Sequence, residues 1–132
     1  MRRSILALAM FAGASLSPAF AFDQRLVGAW SQSTSDCAAM FTRSGGAISF
    51  KQPIDEFKTA FIITPSSIVS PTAKCSIRKA TAQKDMVTLA MTCSNSIGFY
   101  DRQAQIKVEN NVLTYGFPGE STLDVRFEKC PM

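Results

Sequence analysis

Four cysteines constrain the fold of this 132-residue chain more than any other feature of its sequence. They are Cys37, Cys75, Cys93 and Cys130, and no two of them form the C-x-x-C pair that is typical of thiol redox sites and many zinc sites. An even number of cysteines in an exported protein is typical of structural disulfides, because thiols are oxidised outside the cytoplasm. We therefore expect two disulfides, which would stabilise a domain whose core alone is only modestly stable.

The N-terminal segment has the three parts of a secretory signal peptide. Arg2 and Arg3 form a positive start, an uncharged and mostly apolar stretch covers Ile5–Leu16, and Ala19 and Ala21 occupy the small-residue positions of a cleavage site. The apolar stretch has about 12 residues, whereas a membrane-spanning helix needs about 20. We predict cleavage after Ala21, with cleavage after Ala19 as the weaker alternative.

Cleavage there would leave a signal peptide over 1–21 and a single mature domain over 22–132, located in the periplasm or secreted. We expect no transmembrane segment in the mature chain. Two of the fourteen basic residues would leave with the signal peptide, so the formal charge would fall from +4 to +2. A charge this close to zero gives no electrostatic reason to expect binding to nucleic acid.

The two central cysteines lie on segments that alternate between apolar and polar residues as β-strands do. One segment begins at Cys75, the other ends at Cys93, and a polar run of turn character separates them. If the turn centres near Lys84, these two cysteines face each other on the inward side, with Cβ atoms about 4.5–5.5 Å apart. Four cysteines allow three pairings; this geometry favours Cys75 with Cys93, which leaves Cys37 to pair with Cys130.

The mature chain as a whole is predicted to be all-β. Short alternating segments recur with turn residues about every 8–12 positions, which is typical of a small antiparallel barrel or sandwich. We count seven to nine short strands and at most one or two short helical turns. One such turn is expected over Cys37–Phe41, while Pro53–Lys58 could be a helix start or a loop. Cys130 is out of phase with Phe127, so it should lie past the end of the last strand or after a bulge.

The opening segment Leu26–Trp30 resembles the first strand of two barrel families, because Gly28 precedes Trp30 by two residues. In lipocalin-type barrels the tryptophan of this G-x-W pattern plugs one end of the barrel, which implies that role for Trp30. The periplasmic metalloprotease inhibitors are small eight-stranded lipocalin-like barrels with a disulfide, and their N-terminal tail enters the protease cleft. Four residues, Phe22–Arg25, precede the strand here. The alternative is that Gly28 permits close packing and Trp30 is simply the largest core residue.

A second resemblance covers most of the mature chain. The order of its aromatic, glycine and cysteine residues is similar to that of small exported proteins of unknown function from alphaproteobacteria. The residues that carry this resemblance are Trp30, Cys37, Phe41, Gly45, Gly46, Phe50, Phe61, Ile62, Ile63, Cys75, Ile77, Cys93 and Cys130. The resemblance implies a periplasmic location and the same two bridges, and it implies no activity.

The chemistry-bearing residues argue against an enzyme. The chain has no histidine, which excludes a Ser-His-Asp or Cys-His couple and any metal site with a histidine ligand. Asp55 and Glu56 are adjacent, so on a strand their carboxylates would point to opposite faces and could not act as an acid/base pair. No glycine-rich phosphate loop or calcium loop is present. We expect a non-enzyme without cofactor or metal.

Two features are candidates for partner binding. Lys74, Arg78 and Lys84 should share the outer side or the tip of the cysteine hairpin, where a basic surface could dock an acidic partner or phospholipid head groups. Alternatively, these charges keep the sheet soluble and discourage edge pairing. Phe117 lies in a Gly-Phe-Pro-Gly loop and would be a binding anchor if exposed; alternatively it folds back over the mouth of the barrel.

These observations favour a non-enzymatic exported binding module that acts on a protein partner, for example as an inhibitor of an envelope hydrolase. The alternative is a lipocalin-like carrier of a small apolar ligand, which Trp30 and the eight phenylalanines of the mature chain suggest. Because the mature domain has only about 111 residues, we expect side chains to fill its lumen.

Overall fold

The computed structural model describes residues 22–119 and 125–132, so the predicted signal peptide lies outside the described residues. Those two ranges form ten β-strands, one 3-10 turn and one four-residue α-helix, and none of their helices is long and apolar enough to cross a membrane. The elements are β1 Gly28–Ser31, the 3-10 turn Thr34–Asp36, α1 Cys37–Met40, β2 Phe41–Ser44, β3 Ala47–Phe50, β4 Ala60–Ile63, β5 Ser67–Val69, β6 Lys74–Gln83, β7 Met86–Ser94, β8 Phe99–Glu109, β9 Val112–Gly116 and β10 Val125–Lys129.

Eight strands close into an antiparallel barrel. Each pairs with its neighbour in the order β1, β4, β5, β6, β7, β8, β9 and β10, and β10 returns to pair with β1. The barrel is therefore an up-and-down meander, and the β2–β3 hairpin is an insertion between its first two strands that forms a separate two-stranded sheet. The all-β prediction is confirmed, with a barrel rather than a sandwich. Eight barrel strands lie within the expected range, and the inserted hairpin adds two.

The β6–β7 hairpin has the register predicted from its alternating pattern. Cys75 lies opposite Cys93, Ile77 lies opposite Met91, and the two cysteines form a disulfide. After Ile77 a β-bulge shifts the register by one residue. The turn lies at Lys84, whose backbone adopts the left-handed conformation with a φ of 54°.

The second predicted disulfide joins Cys37 to Cys130, 93 positions apart. Cys37 begins α1, and Cys130 follows the last residue of β10, which is one of the two positions expected for it. The backbone N–H of Cys130 also donates a 2.9 Å hydrogen bond to the carbonyl oxygen of Ala29 in β1. Because the barrel closes where β1 pairs with β10, this disulfide cross-links the chain next to the strand pair that closes the barrel.

The inserted hairpin differs from the sequence prediction. The helical turn that was expected to reach Phe41 ends at Met40, because Phe41 begins β2 and pairs with Phe50 of β3. The two rings lie 5.1 Å apart, and this contact buries Phe41 almost completely. The segment Pro53–Lys58, whose sequence is compatible with a helix start or a loop, is a loop.

Buried apolar residues form two clusters, one inside the barrel and one outside its wall. The outer cluster lies under α1 and the β2–β3 hairpin. Strands β1 and β4 contribute to both clusters, because Trp30 and Ile63 face inward while Ala29 and Ile62 face outward. The inserted hairpin thus covers the outside of these two strands. The interior of the barrel is therefore the place to look for a binding site.

Candidate functional site

Trp30 lies toward the end of the barrel where the β8–β9 turn is found. Trp30 is fully buried, and its Nε1 donates a 2.8 Å hydrogen bond to the carbonyl oxygen of Leu26. The Nζ of Lys129 lies 5.4 Å from the centre of the indole and donates to the carbonyl oxygen of Arg25 at 3.1 Å. Gly28 has a φ of +142°, and a Cβ there would lie 2.9 Å from Cε of Lys129. A larger residue at this position would therefore be strained and would displace the lysine.

At the opposite end, the described residues surround a cavity of about 310 Å³ that is open on one side. This mouth is bordered by the loop before β4, by the β5–β6 corner and by β8 where it follows the β7–β8 turn. Seven of the eight barrel strands contribute to the cavity wall, which is mostly apolar. Its apolar members include Phe61, Ile68, Met91, Ile106 and Phe127. Its polar members include Glu56, Lys58, Ser70, Tyr100 and Arg102.

Strand β8 brings two large polar side chains into this wall. Burial alternates along the strand, with Ala104, Ile106 and Val108 buried on the inward face. Because side chains two residues apart share a face, Arg102 and Tyr100 continue that inward face toward the mouth. Both are half-buried, and both line the cavity.

Aromatic rings surround the guanidinium of Arg102. Its carbon atom Cζ lies 4.4 Å from the ring centre of Phe117 and 5.8 Å from that of Tyr115. The two rings pack edge to face, 5.2 Å apart. Both distances from the cation fall within the range of cation–π attraction. Among the described residues, no ion pair includes Arg102.

The rim of the cavity carries an exposed ion pair. Nζ of Lys58 donates a 3.0 Å hydrogen bond to Oδ1 of Asp36, and this hydrogen bond raises the pKa of the Lys58 ammonium. Glu56, two residues before Lys58, is exposed beside the cavity. The rim lysine therefore already has a carboxylate partner, whereas Arg102 has none in the described part of the chain.

The predicted basic residues of the cysteine hairpin do not form one patch. Lys74, Arg78 and Lys84 are all exposed, but Lys74 begins β6 and Lys84 lies in the turn beyond its far end. A strand of ten residues spans roughly 30 Å, so these two charges lie far apart. Arg78 lies at the bulge, where its Nε donates to Oγ1 of Thr92, which in turn donates to Oδ1 of Asp101.

Phe117 and Trp30, the two aromatic candidates, occupy different ends of the barrel. Phe117 is half-buried and packs against Arg102 and Tyr115, two residues that line the cavity. Trp30 lies in the core cluster together with Leu26 and Ile63. The ring of Phe117 is therefore placed beside the cavity wall through its contacts with these two residues.

Arg102 and Tyr100 were missed as site residues, although one signal could have identified them. In the sequence, Ala104, Ile106 and Val108 alternate with polar residues, a pattern that predicts one face of a β-strand. Extending the same period of two toward the N-terminus would have placed Arg102 and Tyr100 inside the barrel.

Three large apolar side chains are exposed around the same end of the barrel. The exposed fractions are 98% for Phe57, 94% for Ile97 and 86% for Phe99. Phe57 lies in the loop before β4, Ile97 lies in the β7–β8 turn, and Phe99 begins β8. The mouth therefore combines an apolar cavity with an apolar rim.

Comparisons with models of protein families, with curated proteins and with solved structures found no match to this chain. Within residues 22–119 and 125–132, no group of three or more cysteine, aspartate or glutamate side chains is arranged to hold a metal ion.

Proposed function

We propose that this protein binds a small, largely apolar molecule in the mouth of its barrel and has no catalytic role. This is the lipocalin-like carrier function that Trp30 and the eight phenylalanines of the mature chain suggest. The observation that carries the proposal is the cavity of about 310 Å³, which is open at one end and walled by apolar side chains.

The size and lining of the cavity suit such a ligand. Sites for small molecules are concave, usually have volumes of about 300–1,000 Å³, and combine a mostly apolar wall with a few polar groups. An eight-stranded barrel is just wide enough to hold one small ligand. The ligand would enter and leave through the mouth, where this cavity reaches the surface.

The proposed place of action is outside the cytoplasm, in the periplasm or in the secreted space. Two disulfides are compatible with an oxidising compartment. The charge and hydrophobicity pattern of residues 1–21 supports export by a cleaved signal peptide.

Filling the cavity is expected to abolish most of the binding. The wild-type protein should bind the neutral dye N-phenyl-1-naphthylamine at one site per chain, and 1-decanol should displace it. Ala73 is a half-buried residue of the cavity wall at the β5–β6 corner. In the Ala73→Trp variant an indole would occupy the entrance, so the dye affinity should fall at least about tenfold. Fluorescence titration measures both effects.

The matched control is Ala47→Trp, which adds the same side chain at an exposed position of the inserted β2–β3 hairpin. This variant should bind the dye as the wild type does. Absence of saturable dye binding to the wild type, or equal affinities in the two tryptophan variants, would contradict the proposal.

Binding of a protein partner is a second candidate function, and the exposed rim of Phe57, Ile97 and Phe99 favours it. Singly exposed apolar residues are common on protein surfaces, whereas several around one opening are typical of an interaction site. An envelope hydrolase inhibited through this rim is one form that such a function could take.

The rim variant Phe57→Ser, Ile97→Ser, Phe99→Ser is expected to lose a partner that the wild type captures from periplasmic extract. Its stability should change little, because exposed side chains typically contribute within about 0.5 kcal/mol each. The comparison variant Lys74→Ser, Arg78→Ser, Lys84→Ser removes the basic residues of the hairpin and should retain the partner. Capture by the rim variant but not by the hairpin variant would assign the contact to the hairpin and would contradict the rim hypothesis.

A further inference from the structure

Arg102 places a positive charge in the wall of an otherwise mostly apolar cavity. Its side chain is half-buried on the inward face of β8. A charge withdrawn from water is normally paired, because desolvation without a partner is unfavourable. Within the described part of the chain, the ion pairs leave Arg102 without a carboxylate. Among the described residues, its charge is therefore available to a group that enters the cavity.

The aromatic rings restrain this arginine without neutralising it. Phe117 and Tyr115 attract the guanidinium at 4.4 Å and 5.8 Å and limit its motion. A guanidinium carries a planar fork of five N–H donors, which matches a pair of anionic oxygens. A side chain that is already restrained loses less entropy when it binds such a pair.

We propose that the ligand of this cavity is an amphiphile with a singly charged anionic head group, which Arg102 binds while the apolar part lies against the barrel wall. The inference rests on the proposed binding function and names the class of its ligand. The apolar contacts come from Phe61, Ile68 and Phe127, which line the same cavity.

The charges around the cavity favour one negative charge rather than two. Lys58 is already paired with Asp36, and Glu56 adds a negative charge at the rim. A doubly charged head group would therefore find only one unpaired cation, Arg102, among the described residues of the cavity wall. A carboxylate and a sulfate monoester each carry a single charge, and either can accept two N–H donors from one guanidinium.

Isothermal titration calorimetry with three ligands that carry the same ten-carbon chain tests the proposal. Wild-type protein should bind decanoate about 10- to 100-fold more tightly than 1-decanol, as expected for hydrogen bonds to a charged group. Decyl sulfate should also bind more tightly than the alcohol. Whichever of the two anions binds with the higher affinity identifies the preferred head group, either carboxylate or sulfate.

The Arg102→Met variant keeps an unbranched side chain without charge, and it should bind decanoate and 1-decanol with similar affinity. The matched control Arg126→Met removes an exposed arginine from β10, away from the cavity, and should keep the wild-type preference. If Arg102→Met does not fold, Arg102→Lys retains the charge without the planar fork, and its preference should be intermediate.

The outcomes separate the two proposals. If wild-type protein binds 1-decanol and decanoate equally well, the role of Arg102 is wrong while the binding function stands. If Arg102→Met retains the full preference for decanoate, the role of Arg102 is also wrong. If wild-type protein binds none of the three ligands, the binding function itself is wrong.

Discussion

Replacing Cys37 and Cys130 together with alanine is expected to lower the free energy of unfolding by about 4.5 kcal/mol. The bridge joins residues 93 positions apart, so its removal lets most of the described chain expand further in the unfolded state. The entropy that a cross-link removes grows with the logarithm of the loop length. Since domains of this kind have a total stability of about 5–15 kcal/mol, the variant should lose between about a third and nine tenths of it.

The other disulfide provides the comparison for this prediction. Cys75 and Cys93 are 18 positions apart, and replacing both with alanine should lower the free energy of unfolding by about 3 kcal/mol. Urea denaturation followed by far-ultraviolet circular dichroism measures both variants against the wild type. If the Cys75–Cys93 variant were the less stable of the two, the length of the closed loop would not govern these contributions.

Trp30→Ala is expected to lower the free energy of unfolding by about 3–5 kcal/mol, the usual range for removing a large aromatic side chain from a core. Trp30 is fully buried, and its Nε1–H satisfies the carbonyl oxygen of Leu26. The substitution would leave a cavity, an unpaired carbonyl group and a Lys129 ammonium without its aromatic neighbour.

The measurement again uses circular dichroism, because Trp30 is the only tryptophan of the chain and its loss removes the fluorescence signal. Phe57→Ala is the control, since Phe57 is 98% exposed and its truncation should change stability by no more than about 0.5 kcal/mol. Trp30→Phe should lie between the two. Equal stabilities of Trp30→Ala and Phe57→Ala would show that Trp30 does not support the core.

The cysteine hairpin could be predicted in detail because the pattern that specifies it lies within one short stretch of the sequence. Apolar and polar residues alternate on both sides of a polar turn, and one choice of turn centre places Cys75 opposite Cys93. The pairing of Cys37 with Cys130 then followed by elimination. The structure adds only the bulge after Ile77, which no residue type in the segment indicates.

Other features depend on residues that are distant in the sequence. The strand that begins at Phe41 forms because Phe50 covers its ring, and the closing contact between β1 and β10 joins residues about a hundred positions apart. Arg102 was overlooked because arginine usually lies outside a sheet. The fold accommodates Arg102 on the inward face because the rings of Phe117 and Tyr115 lie beside its guanidinium. The pattern of the sequence does not predict that these three side chains come together.

The closure of the barrel has a consequence for self-association. Every barrel strand in the described residues has a neighbouring strand on both sides, but β6 and β8 each extend beyond one neighbour. On the β5 side, β6 is paired only over residues 74–76, so the rest of this ten-residue strand has no strand partner there. This segment carries the β-bulge after Ile77 and the charges of Arg78 and Lys79, and bulges and charged side chains discourage edge-to-edge pairing. The folded protein should therefore tolerate high concentration without forming fibrils.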